Sequence, residues 1–331
     1  MSEATVLGVD GGNTKTDLVV ATTAGEPLAY VRGPGSNSHG PDGAEGCVAV
    51  VAELVARAAL DSPAEHGAFF LCGADLDSDI AALKLALDAQ PWVRSVTVDN
   101  DAFALLRAGT RAADAVVVVC GGGINCIGAR SDGRVARYPA LGPETGDWGG
   151  AEGIGRDALY HAARAEDGRG PDTALVDIVR AHFGLPTTLL VGEAVHYRRI
   201  DAARLGDLAP AIVDAATMGD AVAAGLIDRL VAEIVSLVRR AVNDLELGDR
   251  HFDVVLGGGM LQGRRGDRGL RERVLAALLE DFPHATTRSP SVPPVAGAVL
   301  AALDAVGTPE HAGERLVAAL AAGAPARDVR G

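Results

Sequence analysis

One order of strands and helices occurs twice along this 331-residue chain, and that duplication constrains the fold more than any other feature. Apolar patterns predict the order βββαβαβ in the first copy, at about 5–10, 16–22, 27–32, 43–60, 67–73, 78–90 and 94–98. After a short helix ending near Gly109, strands and helices of the second copy are predicted at about 115–120, 124–130, 135–138, 252–256, 269–281, 284–288 and 295–306, with further helices over 150–247. The duplication predicts an α/β chain of two related domains with a cleft between them.

The domain boundaries follow from where the second copy begins. We expect the first domain to span residues 1–112 and the second, which carries the helical insertion, to span 113–331. The last helix either finishes the second domain or packs back on the first. The longest helix of the insertion, predicted at about 220–245, has an apolar stripe opposite charged residues. This stripe is expected to be core, with a homodimer face as the alternative.

The composition narrows the class of partner to a small molecule. The net charge is −14, aromatic residues make up 4% of the chain, and no basic run is interleaved with aromatic residues, so no nucleic-acid surface is predicted. No basic and apolar leader and no long uncharged window occurs, so we expect a cytoplasmic protein without a membrane span. The cysteines are too scattered for a disulfide framework or a zinc pair and are expected to be buried thiols: Cys47, Cys72, Cys120 and Cys126.

The first predicted strand runs into a carboxylate and a glycine turn, Asp10-Gly11-Gly12-Asn13-Thr14-Lys15. Glycines let backbone N–H groups approach phosphate oxygens, and a carboxylate at a strand end can hold Mg²⁺ through water. The spacing is not that of a Walker A loop. A hairpin without a ligand, with Lys15 solvated, is the alternative.

Two further glycine turns follow predicted strands in the second copy. The turn Gly121-Gly122-Gly123 occupies the place that the Asp10 turn has in the first copy, so the two turns can clasp the β- and γ-phosphates from opposite sides. The turn Gly257-Gly258-Gly259 offers flat backbone to an adenine and ribose. Tight turns that bind nothing remain the alternative for both.

Two other segments carry carboxylates just before or at the start of a predicted helix. Asp99 and Asp101 lie where a strand ends and a helix begins, so Asp101 can cap that helix, accept a proton from a substrate hydroxyl, or do both. Asp147 follows Gly146 in a glycine-rich segment and can bind sugar hydroxyls. The alternative is that Asp147 or Glu152 caps the next helix.

Together these motifs resemble the superfamily of acetate and sugar kinases, heat-shock protein 70 and actin, and within it the BadF/BadG-type ATPase family, which includes N-acetylglucosamine kinases. The resemblance runs from Asp10 to about Ala302. It implies two ribonuclease H-like (actin-like ATPase) domains, with ATP and Mg²⁺ as cofactors. The family's phosphate motifs fall on the turns at Asp10 and Gly121, its adenosine motif on the turn at Gly257, and its catalytic aspartate on Asp101.

The resemblance also implies sugar contacts at Asn37 and at Asp147 with Gly146. His39 adjoins the Asn37 loop and either contacts the substrate or faces solvent. Two departures affect the substrate more than the nucleotide. The second phosphate turn lacks the hydroxyls of the family's usual Gly-Thr-Gly-Ser, and Trp148 stands where a second acid often occurs.

The expected reaction is ATP-dependent phosphorylation of the 6-hydroxyl of an amino sugar, N-acetyl-D-glucosamine above others. Asp101 is the expected base, and Asp10 and Asp99 the expected Mg²⁺ ligands, largely through water. Glucosamine or another hexose is the alternative substrate. Two other classes stay open. One is an activator ATPase of a 2-hydroxyacyl-CoA dehydratase-like system, for whose iron–sulfur cluster Cys120 and Cys126 are poorly placed. The other is a nucleotide or sugar sensor without turnover.

Overall fold

The computed structural model describes residues 3–262 and 269–323, together with the backbone of 327–328. Backbone packing divides the chain into two compact units. Unit 1 contains Met1–Ala115 and Arg288–Gly331, and unit 2 contains Val116–Thr287.

Unit 1 begins with a three-stranded meander that continues into parallel strands. Its first elements are β1 (Thr5–Gly11), β2 (Lys15–Thr22), β3 (Pro27–Pro34), α1 (Gly43–Ala58), β4 (His66–Leu71), α2 (Asp77–Asp88), β5 (Val96–Asn100) and α3 (Asp101–Gly109). The strands lie in the order β3-β2-β1-β4-β5, with antiparallel pairing in the meander and parallel pairing from β1 to β5. The carboxyl ends of β1, β4 and β5 therefore meet at one edge of the sheet, where ligands of α/β folds bind.

Unit 2 repeats this order around a second sheet. Its elements are β6 (Ala115–Cys120), β7 (Ile124–Ala129), β8 (Val135–Arg137), α4 (Gly150–Glu166), α5 (Leu175–Phe183), α6 (Thr188–His196), α7 (Ala209–Thr217), α8 (Ala221–Asp244), β9 (Phe252–Gly257), α9 (Leu270–Asp281) and β10 (Ala285–Arg288). The sheet order, β8-β7-β6-β9-β10, is the order of unit 1 with each strand replaced by its counterpart. The predicted duplication is confirmed, and helices α4 to α8 take the place of α1.

The last elements join unit 1, whereas the expected division put all of 113–331 in one domain. They are α10 (Pro294–Ala305), α11 (Glu310–Ala321) and β11 (Arg327–Asp328), which pairs with β3. The cause is close backbone packing. A Cβ on Gly8 of β1 would lie 2.7 Å from the carbonyl carbon of Ala298, so α10 rests directly on the strand. Periodicity does not reveal such an approach, and the option that the last helix packs back on the first domain describes the structure better.

The long helix α8 contributes its stripe to the core of unit 2. Its buried residues include Leu226, Ile227, Leu230, Ile234, Val238, Ala241 and Val242. They pack in one cluster with apolar residues of β6, β7 and β9. The stripe is therefore intradomain core, which the sequence favoured over a dimer face.

The cysteines are free thiols, as expected, and Cys47, Cys120 and Cys126 are buried. Cys72 is the correction, because it is only partly buried. It follows β4 at the ligand-binding edge of the sheet and donates its S–H toward the Asn13 Oδ1 at 3.3 Å. Among the helices in the described ranges, none alone is long and apolar enough to cross a membrane. Helices α5 and α6, bent by 55° at their junction, reach that length and hydropathy only as a pair.

Two helical glycines test the role of close packing in unit 1. A Cβ on Gly297 of α10 would overlap the Ala104 carbonyl oxygen of α3 and lie 2.7 Å from the Ala108 nitrogen, so Gly297→Ala should lower the free energy of unfolding by about 1–3 kcal/mol. The matched control is Gly225→Ala in α8, where nothing lies within 4 Å of the added carbon. That control should raise the free energy of unfolding by up to ~1 kcal/mol. Urea denaturation measures both, and equal effects would contradict the packing account.

Candidate functional site

The first glycine turn is held in place by its own hairpin and by the loop after β3. The Gly12 N–H donates to the Lys15 carbonyl at 2.9 Å, which closes the hairpin. The Ser36 N–H donates to the Gly12 carbonyl at 3.1 Å, and the Thr16 hydroxyl donates to the Ser36 hydroxyl at 2.8 Å. A Cβ on Gly11 would overlap the Ser36 hydroxyl, so only glycine lets this loop approach the turn.

Asn37 and Asn13 join the expected sugar loop to the expected phosphate turn. The Asn37 Nδ2 donates to the Asn13 Oδ1 at 2.7 Å, and the Asn37 Oδ1 accepts the His39 N–H at 2.8 Å. The His39 ring lies beside two carboxylates, with Nε2 3.3 Å from Asp79 and Nδ1 3.9 Å from Asp75. His39 therefore does not simply face solvent, and its side chain is 38% exposed.

Asp10 and Asp101 form an electrostatically coupled pair at the edge of the unit 1 sheet. Burial, assisted by the negative charge of Asp101, raises the pKa of Asp10 to about 7. Burial, assisted by the negative charge of Asp75, raises the pKa of Asp101 to about 6. Carboxylates in such surroundings favour a nearby cation or a bound proton. The arrangement can take up a proton near neutral pH or hold a metal.

The cap of α3 corrects one expectation. Asn100, not Asp101, is the N-cap: its Oδ1 accepts the Ala102 N–H at 2.9 Å, and Asp101 is the first residue of the helix. Asn100 also donates through Nδ2 to the Asp75 Oδ1 at 2.7 Å. The Asp101 carboxylate also accepts hydrogen bonds from the backbone N–H groups of Ala102 and Asp101, which oppose the rise of its pKa.

The carboxylates of unit 1 fit Mg²⁺, which prefers oxygen ligands. Asp10 and Asp101 both offer carboxylate oxygens at this edge of the sheet, and burial, more than the charge of Asp101, raises the pKa of Asp10 to about 7. Asp99 lies in the same row across the sheet as Asp10, with Phe70 of β4 between them. Strand spacing separates their backbones by about 10 Å, so Asp99 is the more remote expected ligand. Within residues 3–262 and 269–323, no three His, Cys, Asp or Glu side chains converge as a ready-made metal site.

Lys15 is paired with Asp17, which lies opposite Asp10 in the register of β1 and β2. The Asp17 carboxylate is fully buried; it accepts from the Lys15 Nζ at 2.5 Å and from the Arg32 Nε at 2.6 Å. Burial opposes its ionisation, but the hydrogen bonds from Arg32 and Lys15 outweigh burial and lower the pKa of Asp17. Lys15 is thus paired with Asp17, while its side chain, 46% exposed, remains in contact with solvent.

In unit 2, the turn Gly121-Gly122-Gly123 is hydrogen-bonded to the N-terminus of α4. The Ala151 and Glu152 N–H groups donate to the carbonyls of Gly121 and Gly122 at 2.8 and 2.9 Å. A Cβ on Gly150 would overlap the carbonyl oxygens of the turn. No Cβ contact within 4 Å restricts Gly121 or Gly123. The turn is therefore anchored on its carbonyl side and open at those two glycines.

The third glycine turn lies against the end of β6, next to the second one. Gly258 has φ +84°, and a Cβ there would overlap the Cys120 carbonyl oxygen. The Met260 N–H donates to that same oxygen at 3.1 Å. Within unit 2 the fold therefore brings the expected adenosine turn beside the expected phosphate turn.

Asp147 and Trp148 sit in the segment before α4. Asp147 accepts from the Thr145 hydroxyl at 2.6 Å, and the N-cap of α4 is Gly149, so neither Asp147 nor Glu152 caps this helix. The Trp148 indole N–H donates to Asp157 at 3.1 Å, and the Arg229 guanidinium lies 3.7 Å from the ring centre. Where the family often has an acid, this chain has an aromatic anchor for the segment.

The structure brings the expected residues together within each unit. Asp10, Asp101, Asn13 and Asn37 gather in unit 1, and both other glycine turns gather with the Asp147 segment in unit 2. Sequence reasoning missed Ser36, Cys72 and Asp75. The sequence signal for these three residues is that each is polar and lies just beyond the carboxyl end of β3 or β4. Both strands end at the edge of the sheet that carries Asp10.

Comparisons with known proteins identify the family of this chain. The model of the BadF/BadG/BcrA/BcrD ATPase family matches residues 7–302. An N-acetyl-D-glucosamine kinase of Dictyostelium discoideum is 27% identical over 92% of this chain and 99% of its own. An N-acetylmuramic acid/N-acetylglucosamine kinase of Clostridium acetobutylicum is 24% identical over 77% of this chain and 85% of its own. A solved structure of a proposed N-acetylglucosamine kinase from Chromobacterium violaceum shares the fold, with TM-score 0.68 and 21% identity over 91% of this chain and 99% of that one.

The pKa of Asp10 is raised and that of Asp17 is lowered, so the two carboxylates change the free energy of unfolding with pH in opposite directions. Asp10 keeps its proton up to about pH 7 in the folded chain but loses it near pH 4 when unfolded, so the free energy of unfolding falls as pH rises through that window. The lowered pKa of Asp17 contributes stability that is complete above the unfolded value and is lost as pH falls through the folded value.

At pH 8 without divalent cations, Asp10→Asn should therefore raise the free energy of unfolding by about 1–3 kcal/mol, and the register-matched control Asp17→Asn should lower it. Mg²⁺ should stabilise the wild type more than Asp10→Asn. Chemical denaturation at pH 5 and pH 8 measures this, and destabilisation by Asp10→Asn at pH 8 would contradict the account.

Proposed function

The chain belongs to the BadF/BadG/BcrA/BcrD ATPase family, and we propose that it is an ATP-dependent kinase that phosphorylates the 6-hydroxyl of an amino sugar. N-acetyl-D-glucosamine is the substrate best supported, because both curated relatives described above are named for kinases of that sugar. The observation that carries the proposal lies in unit 1. There Asp101 begins α3 at the edge that carries Asp10, and Asn100 just before it donates to Asp75, whose other carboxylate oxygen lies 3.9 Å from the His39 ring in the loop of Asn37.

Each unit carries residues that we propose for nucleotide binding. In unit 2, the turn Gly257-Gly258-Gly259 lies beside Gly121-Gly122-Gly123, which suits adenosine and phosphate respectively. In unit 1, Gly11, Gly12, Asn13 and Thr14 form the other phosphate turn, and Lys15 adds a cation held by Asp17. Asp10, with Asp99 as the remoter ligand, would hold Mg²⁺ largely through water. The metal supplies charge neutralisation for the phosphates.

Asp101 is the proposed general base. A general base works best when its pKa lies near the working pH. With a pKa of about 6, Asp101 is mostly ionised at neutral pH and can accept a proton. It accepts the proton of the sugar hydroxyl as that oxygen attacks the γ-phosphorus, and the bond to the ADP oxygen breaks. Asn37 and, from unit 2, Asp147 with Gly146 bind and orient the sugar. Positioning of the hydroxyl in line supplies most of the acceleration in phosphoryl transfer.

Other substrates and classes make distinct predictions. Glucosamine or another hexose is the nearest alternative, since the acceptor is set by a few side chains around Asn37 and Asp147. An activator ATPase needs cysteines that can reach an iron–sulfur cluster, whereas Cys120 and Cys126 are fully buried in the core of unit 2. A sensor would bind nucleotide and sugar without turnover.

One assay separates these functions. ADP release is measured with N-acetylglucosamine, N-acetylmannosamine, N-acetylmuramic acid, glucosamine and glucose, and without sugar, and the product is identified by mass spectrometry. The proposal predicts ADP and phosphosugar in equal amounts, with the highest kcat/KM for N-acetylglucosamine. Hydrolysis without dependence on sugar would support the activator, and binding without ADP release would support the sensor.

Replacement of the base tests the role of Asp101. Asp101→Asn should lower kcat by about 10²–10⁴-fold while ATP affinity stays near that of the wild type, because the amide keeps the shape but cannot take the proton. The matched control is Asp88→Asn on α2, whose exposed carboxylate pairs with Lys84. Stopped assays give kcat, and titration calorimetry gives ATP affinity. Turnover of Asp101→Asn within threefold of wild type, which is about 0.7 kcal/mol in activation free energy, would remove the base assignment.

A second substitution tests the adenosine turn without disturbing the fold. Nothing lies within 4 Å of a Cβ added at Gly259, so Gly259→Ala should keep the free energy of unfolding. ATP affinity should fall roughly tenfold or more, because a methyl group keeps the nucleotide from the backbone. Gly248→Ala is the matched control, a loop glycine of unit 2 with equally open space. Unchanged ATP affinity in Gly259→Ala would move the adenosine site elsewhere.

A further inference from the structure

Asp75 occupies a central place in the polar network of unit 1. It follows β4 in the loop that leads to α2, and its side chain is only 10% exposed. Its Oδ1 accepts the Nδ2 of Asn100 at 2.7 Å, and its Oδ2 lies 3.9 Å from the Nδ1 of His39. One carboxylate therefore borders the helix that carries Asp101 and the loop that carries Asn37.

The bond to Asn100 fixes how α3 begins. Asn100 uses both ends of its amide, since Oδ1 caps the Ala102 N–H at 2.9 Å while Nδ2 donates to Asp75. Donation to Asp75 selects the rotation of the amide that presents its oxygen to the helix. Asp101 lies between the cap and the capped residue, so its backbone position depends on this bond.

On its other side, Asp75 continues into the sugar and phosphate loops. The His39 N–H donates to the Asn37 Oδ1 at 2.8 Å, and the Asn37 Nδ2 donates to the Asn13 Oδ1 at 2.7 Å. Hydrogen bonds thus join the phosphate turn to Asn37 and Asn37 to the His39 backbone, and the His39 ring approaches Asp75 at 3.9 Å without a hydrogen bond. Side chains held in such networks keep their geometry better than isolated loop residues do.

The neighbouring acid Asp79 has a different task. Its Oδ2 accepts the Leu76 N–H at 3.0 Å at the start of α2 and approaches the His39 Nε2 at 3.3 Å. Of the two acids beside His39, Asp75 is the one that accepts a hydrogen bond from Asn100, the N-cap of α3. The burial of a second carboxylate next to Asp101 is costly, which argues that it has a function.

We propose that Asp75 is a positioning residue of the phosphoryl transfer, which holds Asp101 through Asn100 and borders the Asn37 loop through His39. This role rests on the proposed kinase function. Asp75 acts as a hydrogen-bond acceptor at a fixed place, so its shape and acceptor oxygen matter more than its charge. Displacement of a catalytic group by about 1 Å can cost ~10²-fold in rate.

The test compares substitutions that separate the hydrogen bond from the charge. Asp75→Ala removes the acceptor and should lower kcat about ten- to hundredfold, with KM for ATP within about twofold of wild type. Asp75→Asn keeps an acceptor oxygen and should retain kcat within about fivefold. Asp88→Asn, an exposed acid on α2, is the control and should match the wild type. Sugar-dependent ADP release at saturating sugar and ATP gives both constants.

A swapped pair supplies the decisive comparison. Asn100→Asp keeps the cap oxygen for Ala102 but sets a carboxylate against Asp75, so kcat should fall about as far as in Asp75→Ala. The double variant Asp75→Asn with Asn100→Asp restores a donor and an acceptor with their places exchanged. Its kcat should recover about tenfold over Asn100→Asp alone, a gain of ~1.4 kcal/mol.

The outcomes are distinguishable from failure of the proposed function. If the wild type shows no sugar-dependent ADP release, the kinase proposal itself fails. If the wild type is active but Asp75→Ala keeps its kcat, the positioning role is overturned. It is equally overturned if Asp75→Asn falls as far as Asp75→Ala and the swapped pair recovers nothing, because charge or direct substrate contact would then be the function of Asp75. Circular dichroism melting of every variant shows that each remains folded.

Discussion

Asp10 and Asp101 lie at the carboxyl-terminal edge of the unit 1 sheet, and the negative charge of Asp101 acts on the buried Asp10 carboxyl. The packing of unit 1 holds both carboxylates at that edge. Burial, assisted by the negative charge of Asp101, raises the pKa of Asp10 to about 7, so the ionised form of Asp10 is disfavoured in the folded chain. A divalent cation with its phosphates would offset the repulsion, while a sugar hydroxyl would supply the proton that Asp101 accepts. The raised pKa values of Asp10 and Asp101 are thus typical of a functional site and fit the ligands that we propose.

The duplicated fold explains why the chemistry lies at strand ends. In both units a central strand ends in a glycine turn, and in unit 1 parallel neighbours deliver further loops to the same edge. Close backbone contacts hold these parts in register. Gly8 and Gly297 let α10 lie on β1 and against α3, the helix that begins at Asp101. Packing far from the reacting atoms therefore sets where the carboxylate stands.

Much of this could be predicted from the sequence, because strands, glycine turns and strand-end carboxylates are local signals. The duplication predicted the order of strands and helices along both units, and Asp10, Asp101 and Asn37 fall in unit 1 together. The parts that were missed depend on contacts between segments distant along the chain. Helix α10 packs in unit 1 because backbones approach closely at Gly8 of β1 and at Gly297, where α10 meets α3. The hydrogen bond from Asn100 to Asp75 joins the end of β5 to the loop after β4. Neither leaves a periodic trace.

The departures from the family pattern shape the acceptor more than the donor. The second phosphate turn keeps its backbone anchored on α4 without hydroxyl side chains, and Trp148 fixes the Asp147 segment by contact with Asp157 and Arg229. The central claim, transfer to a sugar rather than to water, is tested most directly by ³¹P NMR of a reaction with ATP, Mg²⁺ and N-acetylglucosamine. We expect a phosphomonoester signal coupled to the two protons of carbon 6, in step with ADP. Inorganic phosphate at the same rate with and without sugar would contradict the account.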